Sequence, residues 1–246
     1  MQKQNTLADS FSLEGKGLHT GLNIHITFNP VPENHGYKIN RTDLPEQPII
    51  DAVAENVINT QRGTVIGKKD IQISTIEHAM AALYAAGIDN CLIEVDAPEF
   101  PILDGSSRFY TEGISKVGLK KQTANKQYYI VKHKIEVKDE ETGASIMILP
   151  EDNFSVNVLV SYNSPVLTNQ YAVMDDLSQF PSEISASRTF VFVREIEMLI
   201  QNNLIKGGDL DNAIVIYDQK VSQDSLDKLA DMMNQPRKSA EELGYI

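Results

Sequence analysis

Cysteine is nearly absent from this chain, and the one present, Cys91, cannot form an internal disulfide. It lies in the apolar run Cys91-Leu92-Ile93-Glu94-Val95, where a small buried hydrophobe is expected in place of a catalytic thiolate. No apolar stretch reaches the roughly 18 residues of a membrane span, and Met1-Gln2-Lys3-Gln4-Asn5 lacks the apolar segment of a secretory signal. A cytoplasmic protein is therefore expected. Positive charge is scarce as well. With 22 Lys and Arg against 34 Asp and Glu, the formal charge of −12 repels a phosphate backbone and excludes a basic nucleic-acid face. There are five histidines, and none follows His133.

What is present suffices for a substantial core: 246 residues, 41% of them hydrophobic, exceed the roughly 100 to 200 residues of an ordinary single domain. Strict alternation runs through Ile24, Ile26 and Phe28, through Tyr129, Val131, His133, Ile135 and Val137, and through Phe154, Val156, Val158 and Val160. Each predicts a half-buried strand. Cys91 to Val95 and Ala213 to Ile216 predict more deeply buried strands. Helical spacing through Ile76, Met80 and Leu83, rich in alanine and stopped by Gly87, predicts one helix; Phe192 to Asn202 predicts a second, with Ile196, Leu199 and Ile200 on its apolar face. With Ala213 following a Gly207-Gly208 turn, residues 191–217 read as a strand, helix, strand unit. A third helix is expected around Leu226, Leu229 and Met233. The polar stretch from Val117 to Lys126 reads as a linker between similar-sized halves, a first domain over 1–120 and a second over 127–246.

Several short segments could carry chemistry. Ser74 followed by Glu77 fits a capping box, in which Glu77 reaches back to the backbone; His78, in the same first turn, would be kept neutral by the helix dipole and so available to a metal. Gly15-Lys16-Gly17-Leu18-His19-Thr20-Gly21 has the wrong glycine spacing for a dinucleotide loop and is followed by a strand, leaving a plain strand connection or a loop presenting His19 at a cleft. The segment Ala97 to Ser107 is too proline-rich for regular structure and too apolar for a solvated loop, with Asp104 either a turn former or an acidic site group. Ser187-Arg188-Thr189-Phe190 is a strand edge or a site.

Gly17-Leu18-His19-Thr20-Gly21, Arg41-Thr42-Asp43-Leu44, Ile73-Ser74-Thr75-Ile76-Glu77-His78, Gly87-Ile88-Asp89-Asn90, Pro98 to Ser106, Ser187-Arg188-Thr189-Phe190 and Gly207-Gly208 together, in this order, resemble the UDP-3-O-acyl-N-acetylglucosamine deacetylases of lipid A synthesis. The resemblance implies an α+β fold of two similar domains, each a sheet layered with helices, with the site in the cleft between them and a small insert in each. It implies a zinc ion with His78 as first ligand, and Glu77 as the general base acting on water whose pKa zinc lowers to about 7. Thr189 would donate to the developing oxyanion. Phe190 and Phe192 would flank the sugar and acyl regions, with Asp104 and His19 in the surrounding site. Ile196, Ile200, Ile205, Gly208, Ala213 and Val215 would line a passage for the acyl chain, or simply be core.

The family's remaining zinc ligands and a catalytic acid come from an H-K-x-x-D pattern and a later G-H pattern, neither of which occurs here. The expectation is an incomplete chain, inactive as it stands and weak in zinc, with a small lipid-bearing nucleotide sugar as substrate and a monomer as its state. Some relatives continue into a fused hydroxyacyl dehydratase domain. Two other readings remain: a non-catalytic relative that keeps the nucleotide-sugar or acyl-chain cleft, and a small α+β RNA-binding module, which the acidic balance opposes.

Overall fold

The computed structural model describes residues 2–68, 70–202, 204–233 and 235–243. The fold is α+β, as expected. Its first half is built on strands β1 (Lys3–Leu7), β2 (Phe11–Lys16), β3 (Asn23–Asn29), β4 (Tyr37–Arg41), β5 (Ile49–Asp51), β6 (Val57–Asn59), β7 (Val65–Lys68), β8 (Ile71–Ile73) and β9 (Cys91–Val95), with helix α1 (Glu77–Ala85) between the last two. One sheet runs in the order β2-β3-β9-β4-β5, with β9 antiparallel to β3 and parallel to β4. The alternation read from the sequence is realised in β3: Ile24, Ile26 and Phe28 are buried while Asn23 and His25 face solvent. Strand β9 sits mid-sheet, and Cys91, Ile93 and Val95 are fully buried, as their continuous apolar run required. β6, β7 and β8 form a separate three-stranded antiparallel unit.

Ala79, Ala82 and Leu83 of α1 pack into the same core as Ile26, Phe28 and Ile93. The helix ends as its glycine predicted. Gly87 takes φ +72°, its N–H bonds to the Tyr84 carbonyl, and the Ile88 N–H reaches the Leu83 carbonyl, closing a Schellman turn. The start differs from expectation. Thr75 adopts φ +59°, which breaks the geometry a capping box from Ser74 needs, and the helix begins at Glu77 with no side-chain cap. Helix α2 (Arg108–Val117), which the sequence reading did not single out, adds Tyr110 and Ile114 to the core.

The stretch expected to be a linker is instead mostly a strand. β10 (Leu119–Asn125) pairs antiparallel with β1, Leu7 opposite Leu119 and Lys3 opposite Asn125, so its polar residues are those of a solvent-facing ribbon. Beyond it, β11 (Ile135–Lys138) pairs with β12 (Ser145–Ile148) and β13 (Val156–Ser161) with β14 (Asn169–Met174) as two antiparallel ribbons. The alternating segments that gave β11 and β13 were expected to be half-buried strands. Among the described residues no second layer covers them: Val137, Ile146 and Leu159 are 65%, 68% and 67% exposed, and residues 129–134 form no strand. Met174 and Phe180 do return to the first-half core.

The strand, helix, strand unit has the expected element order, but its returning strand is not deeply buried as expected: it is short, among the described residues it pairs on one edge only, with its parallel neighbour, and Ile214 is 45% exposed. β15 (Phe190–Phe192) leads directly into α3 (Val193–Gln201), and β16 (Ile214–Ile216) returns parallel to β15. Helix α4 (Gln223–Met232), capped by Ser222, follows. Among the described residues no helix is long and apolar enough to cross a membrane.

Candidate functional site

Two loops from opposite ends of the chain meet with almost no side-chain padding. The Gly207 N–H bonds to the Leu18 carbonyl at 3.0 Å, and a Cβ on Gly207 would lie 2.2 Å from the Gly17 carbonyl oxygen. Only glycine permits this approach. A second junction ties the segment before β15 to the Asp104-Gly105 turn. The Thr189 N–H bonds to the Gly105 carbonyl at 2.7 Å, and the Arg188 Nε donates to the Asp104 carbonyl at 2.6 Å. Gly105 takes φ +82°, with room for a Cβ denied by the Asn212 carbonyl oxygen 2.1 Å away.

Between these junctions and the strand, helix, strand unit lies a small, largely apolar cavity that is partly open to solvent. Of the candidates named from sequence, His19, Thr189, Phe190, Ile196, Ile205, Gly208, Ala213 and Val215 all line it. Phe192 stands behind that wall, 6% exposed, with its ring 5.4 Å from Phe190 and under the Arg194 guanidinium at 4.1 Å. The side chain of Ile200 lies outside the described residues. Arg62, from the loop between β6 and β7, also lines the cavity and reaches Glu195 of α3 at 2.9 Å, spanning from the first half of the chain to the second.

Glu77 and His78 open α1 beside that loop. The Glu77 Oε2 accepts the Thr64 N–H at 3.0 Å, two residues on from Arg62, and Gly63 is packed so closely that a Cβ there would be 3.3 Å from Oε1. Freed from capping, the carboxylate is turned toward a loop that contributes to the cavity. Burial pushes the His78 imidazole below its ordinary value, while the nearby Glu77 and Asp104 carboxylates pull the other way. Burial thus favours the neutral ring, in the same direction as the helix dipole read from sequence. The Ser107 hydroxyl bonds to the His78 carbonyl at 2.9 Å. Asp104 accepts from the Ser106 hydroxyl at 2.7 Å and pairs with Arg108 at 3.0 Å, which fixes the Asp104-Gly105 turn that holds Arg188 and Thr189.

Sequence reasoning passed over Glu99. This residue is completely buried and accepts from the backbone of His19 and Thr20 and from the hydroxyls of Thr20 and Thr75. The one signal available was an acidic residue inside a segment already judged too apolar for a solvated loop.

A family model for the UDP-3-O-acyl N-acetylglycosamine deacetylases, LpxC, matches residues 4–232. The chain belongs to this deacetylase family. It is 63% identical over its whole length to the bifunctional enzyme LpxC/FabZ of Bacteroides thetaiotaomicron and 60% identical to that of Porphyromonas gingivalis, covering 53% of each. It is 40% identical, over 88% of its length, to the UDP-3-O-acyl-N-acetylglucosamine deacetylase of Methylococcus capsulatus, of which it covers 71%. The chain thus spans about half the length of the bifunctional deacetylase-family relatives it matches.

Proposed function

We propose that the polypeptide to which these residues belong hydrolyses the N-acetyl group of UDP-3-O-acyl-N-acetylglucosamine, releasing acetate for lipid A synthesis, and that the apolar cavity receives the acyl chain. One observation carries this reading. Thr189 lines an apolar cavity and is bonded through its backbone to Gly105, and Arg62 of the same cavity lies two residues from Thr64, the backbone partner of the Glu77 carboxylate. Thr189 and a largely apolar wall thus share one cavity, and Glu77 is bonded to a loop that reaches the same cavity through Arg62. Its membership of the deacetylase family supports the same substrate class.

In this proposal Glu77 takes a proton from the attacking water as the water oxygen bonds to the acetyl carbon. The Thr189 hydroxyl donates to the acetyl oxygen as negative charge gathers there, an interaction of about 3 kcal/mol when preorganised. The carbon–nitrogen bond then breaks, and the proton taken by Glu77 is the one the departing amine nitrogen requires. Ile196, Ala213 and Val215 hold the acyl chain, and His19 and Asp104 order the rim.

Zinc is proposed with His78 as one donor. Among the described residues, however, no group of three or more His, Cys, Asp or Glu is arranged to hold a metal ion. The residues here do not by themselves fit a catalytic zinc, which takes three protein ligands. The LpxC/FabZ relatives, called bifunctional, support a parent polypeptide with a second catalytic part.

The test is to express the full-length polypeptide and measure acetate release from UDP-3-O-acyl-N-acetylglucosamine. Stoichiometric release supports the proposal. Tight substrate binding without release would replace it by a non-catalytic binding role.

A further inference from the structure

A buried carboxylate is costly unless its oxygens are fully hydrogen-bonded, and an apolar side chain of similar size would fill the same space at less cost. Glu99 is completely buried, and among the described residues no cation pairs with it. Its two oxygens are instead divided between two pieces of chain. Oε1 accepts the His19 N–H at 2.9 Å and the Thr75 hydroxyl at 3.2 Å, while Oε2 accepts the Thr20 N–H at 3.0 Å and the Thr20 hydroxyl at 2.9 Å.

The chain is shaped around this carboxylate. Glu99 bridges to Ser74 and Pro101 bridges to Gly17, so the segment carrying Glu99 runs between the two pieces it joins. Gly17 has no room for a Cβ, which would lie 2.5 Å from the Glu99 Oε2 and 2.4 Å from the Thr20 Oγ1. Thr75, whose left-handed backbone is unfavourable for a β-branched residue, gives its hydroxyl to Glu99 two positions before Glu77. On the other side, His19 lines the cavity, and among the described residues its shielded Nδ1 has no hydrogen-bond partner, which leaves the backbone bond to Glu99 as the polar contact that fixes this residue's place.

We infer that Glu99 is a positioning residue: it sets His19 against the cavity and ties that wall to the segment that starts α1. This rests on the deacetylase reading for its kinetic readout only. Glu99 itself is sealed from the cavity and touches no substrate.

Glu99→Gln is the sharp probe, since it keeps shape but turns one oxygen, an acceptor for two donors, into an amide that donates. In the full-length polypeptide we expect it to raise KM for the acylated nucleotide sugar about tenfold with kcat changed less than threefold. In a His19→Ala background it should change KM by less than twofold, because the residue it positions is gone. Equal factors in both backgrounds, or no change in either, would overturn the inference and leave Glu99 a plain structural residue. If Glu99→Gln does not fold, Thr20→Val runs through the same cycle, with a threefold effect expected in the wild-type background and none beside His19→Ala. Should the wild-type polypeptide release no acetate, the deacetylase reading fails separately. The cycle is then read from the affinity of a fluorescent long-chain fatty acid, with the same pattern of factors expected.

Discussion

The Thr64 backbone N–H donates to the Glu77 carboxylate at 3.0 Å, although Glu77 stands where a helix-capping side chain would be expected to turn back on its own helix. The carboxylate therefore contributes little to starting α1, and its loss should separate stability from rate. Glu77→Gln in the full-length polypeptide is expected to lower kcat by a factor of about 100 to 10,000, the range for a general base. Its unfolding free energy should stay within about 1 kcal/mol of wild type, as for a hydrogen bond that the amide oxygen can still accept. Parallel kinetics and denaturant titration check both halves. A loss of stability equal to the loss of rate would show Glu77 to be structural.

Ala213 lines the cavity together with the α3 side chains Ile196 and Leu199. Ala213→Leu adds three carbon atoms to a space bounded by packed walls, and a difference of one methylene in such a pocket is worth about 1 to 3 kcal/mol. Substrates with long acyl chains should lose at least tenfold in kcat/KM, and analogues with short chains should lose less than twofold. Steady-state comparison of the two substrate classes decides whether the cavity receives the chain.

Arg41 is 5% exposed, and its guanidinium meets Asp43 through two bonds, at 2.8 and 2.7 Å, and the Gln72 carbonyl at 3.0 Å. The Arg41 hydrogen bonds hold the Asp43 carboxyl below its ordinary range. A carboxyl whose folded pKa is depressed contributes stability above its unfolded value of about 3.9, and that contribution is lost as pH falls through the lower folded value. Asp43→Asn should cost on the order of 1 kcal/mol near pH 7 by leaving the guanidinium short of a charged partner, solvent screening at the exposed carboxylate keeping it below the value of a buried pair. The gap between variant and wild type should close as the pH falls below about 4. Urea titrations at several pH values measure it, and a gap independent of pH would assign the cost to packing.

The sequence reveals those parts of the fold whose cause is local. The alternation at Ile24, Ile26 and Phe28 and the glycine stop at Gly87 depend on neighbours a few residues away, and both appear where expected. The Ser74-Glu77 spacing misled because the left-handed turn at Thr75, bonded to distant Glu99, decides where α1 begins. The polar run from Leu119 to Asn125 hid a strand because its partner, β1, lies at the other end of the first half and both faces of the ribbon tolerate polar residues. The cavity-lining side chains were named by resemblance; spacing could not have gathered His19 with Val215. That Phe192 lies behind Phe190 while Val191 between them lines the cavity reflects the short parallel pairing of β15 with β16, which no local pattern announces.

Gly207 rests directly on Leu18, backbone to backbone, near the two ends of the described chain. The consequence is temporal. During synthesis the His19 loop emerges early and its own half can form around Ile26 and Ile93, but the cavity beside it has no far wall until the ribosome has released Ala213 and Val215. Until then the apolar surface awaiting that wall is open, and closing it requires contacts of very high sequence separation, the kind that form slowly. The site is thus the last feature of this region to come into being.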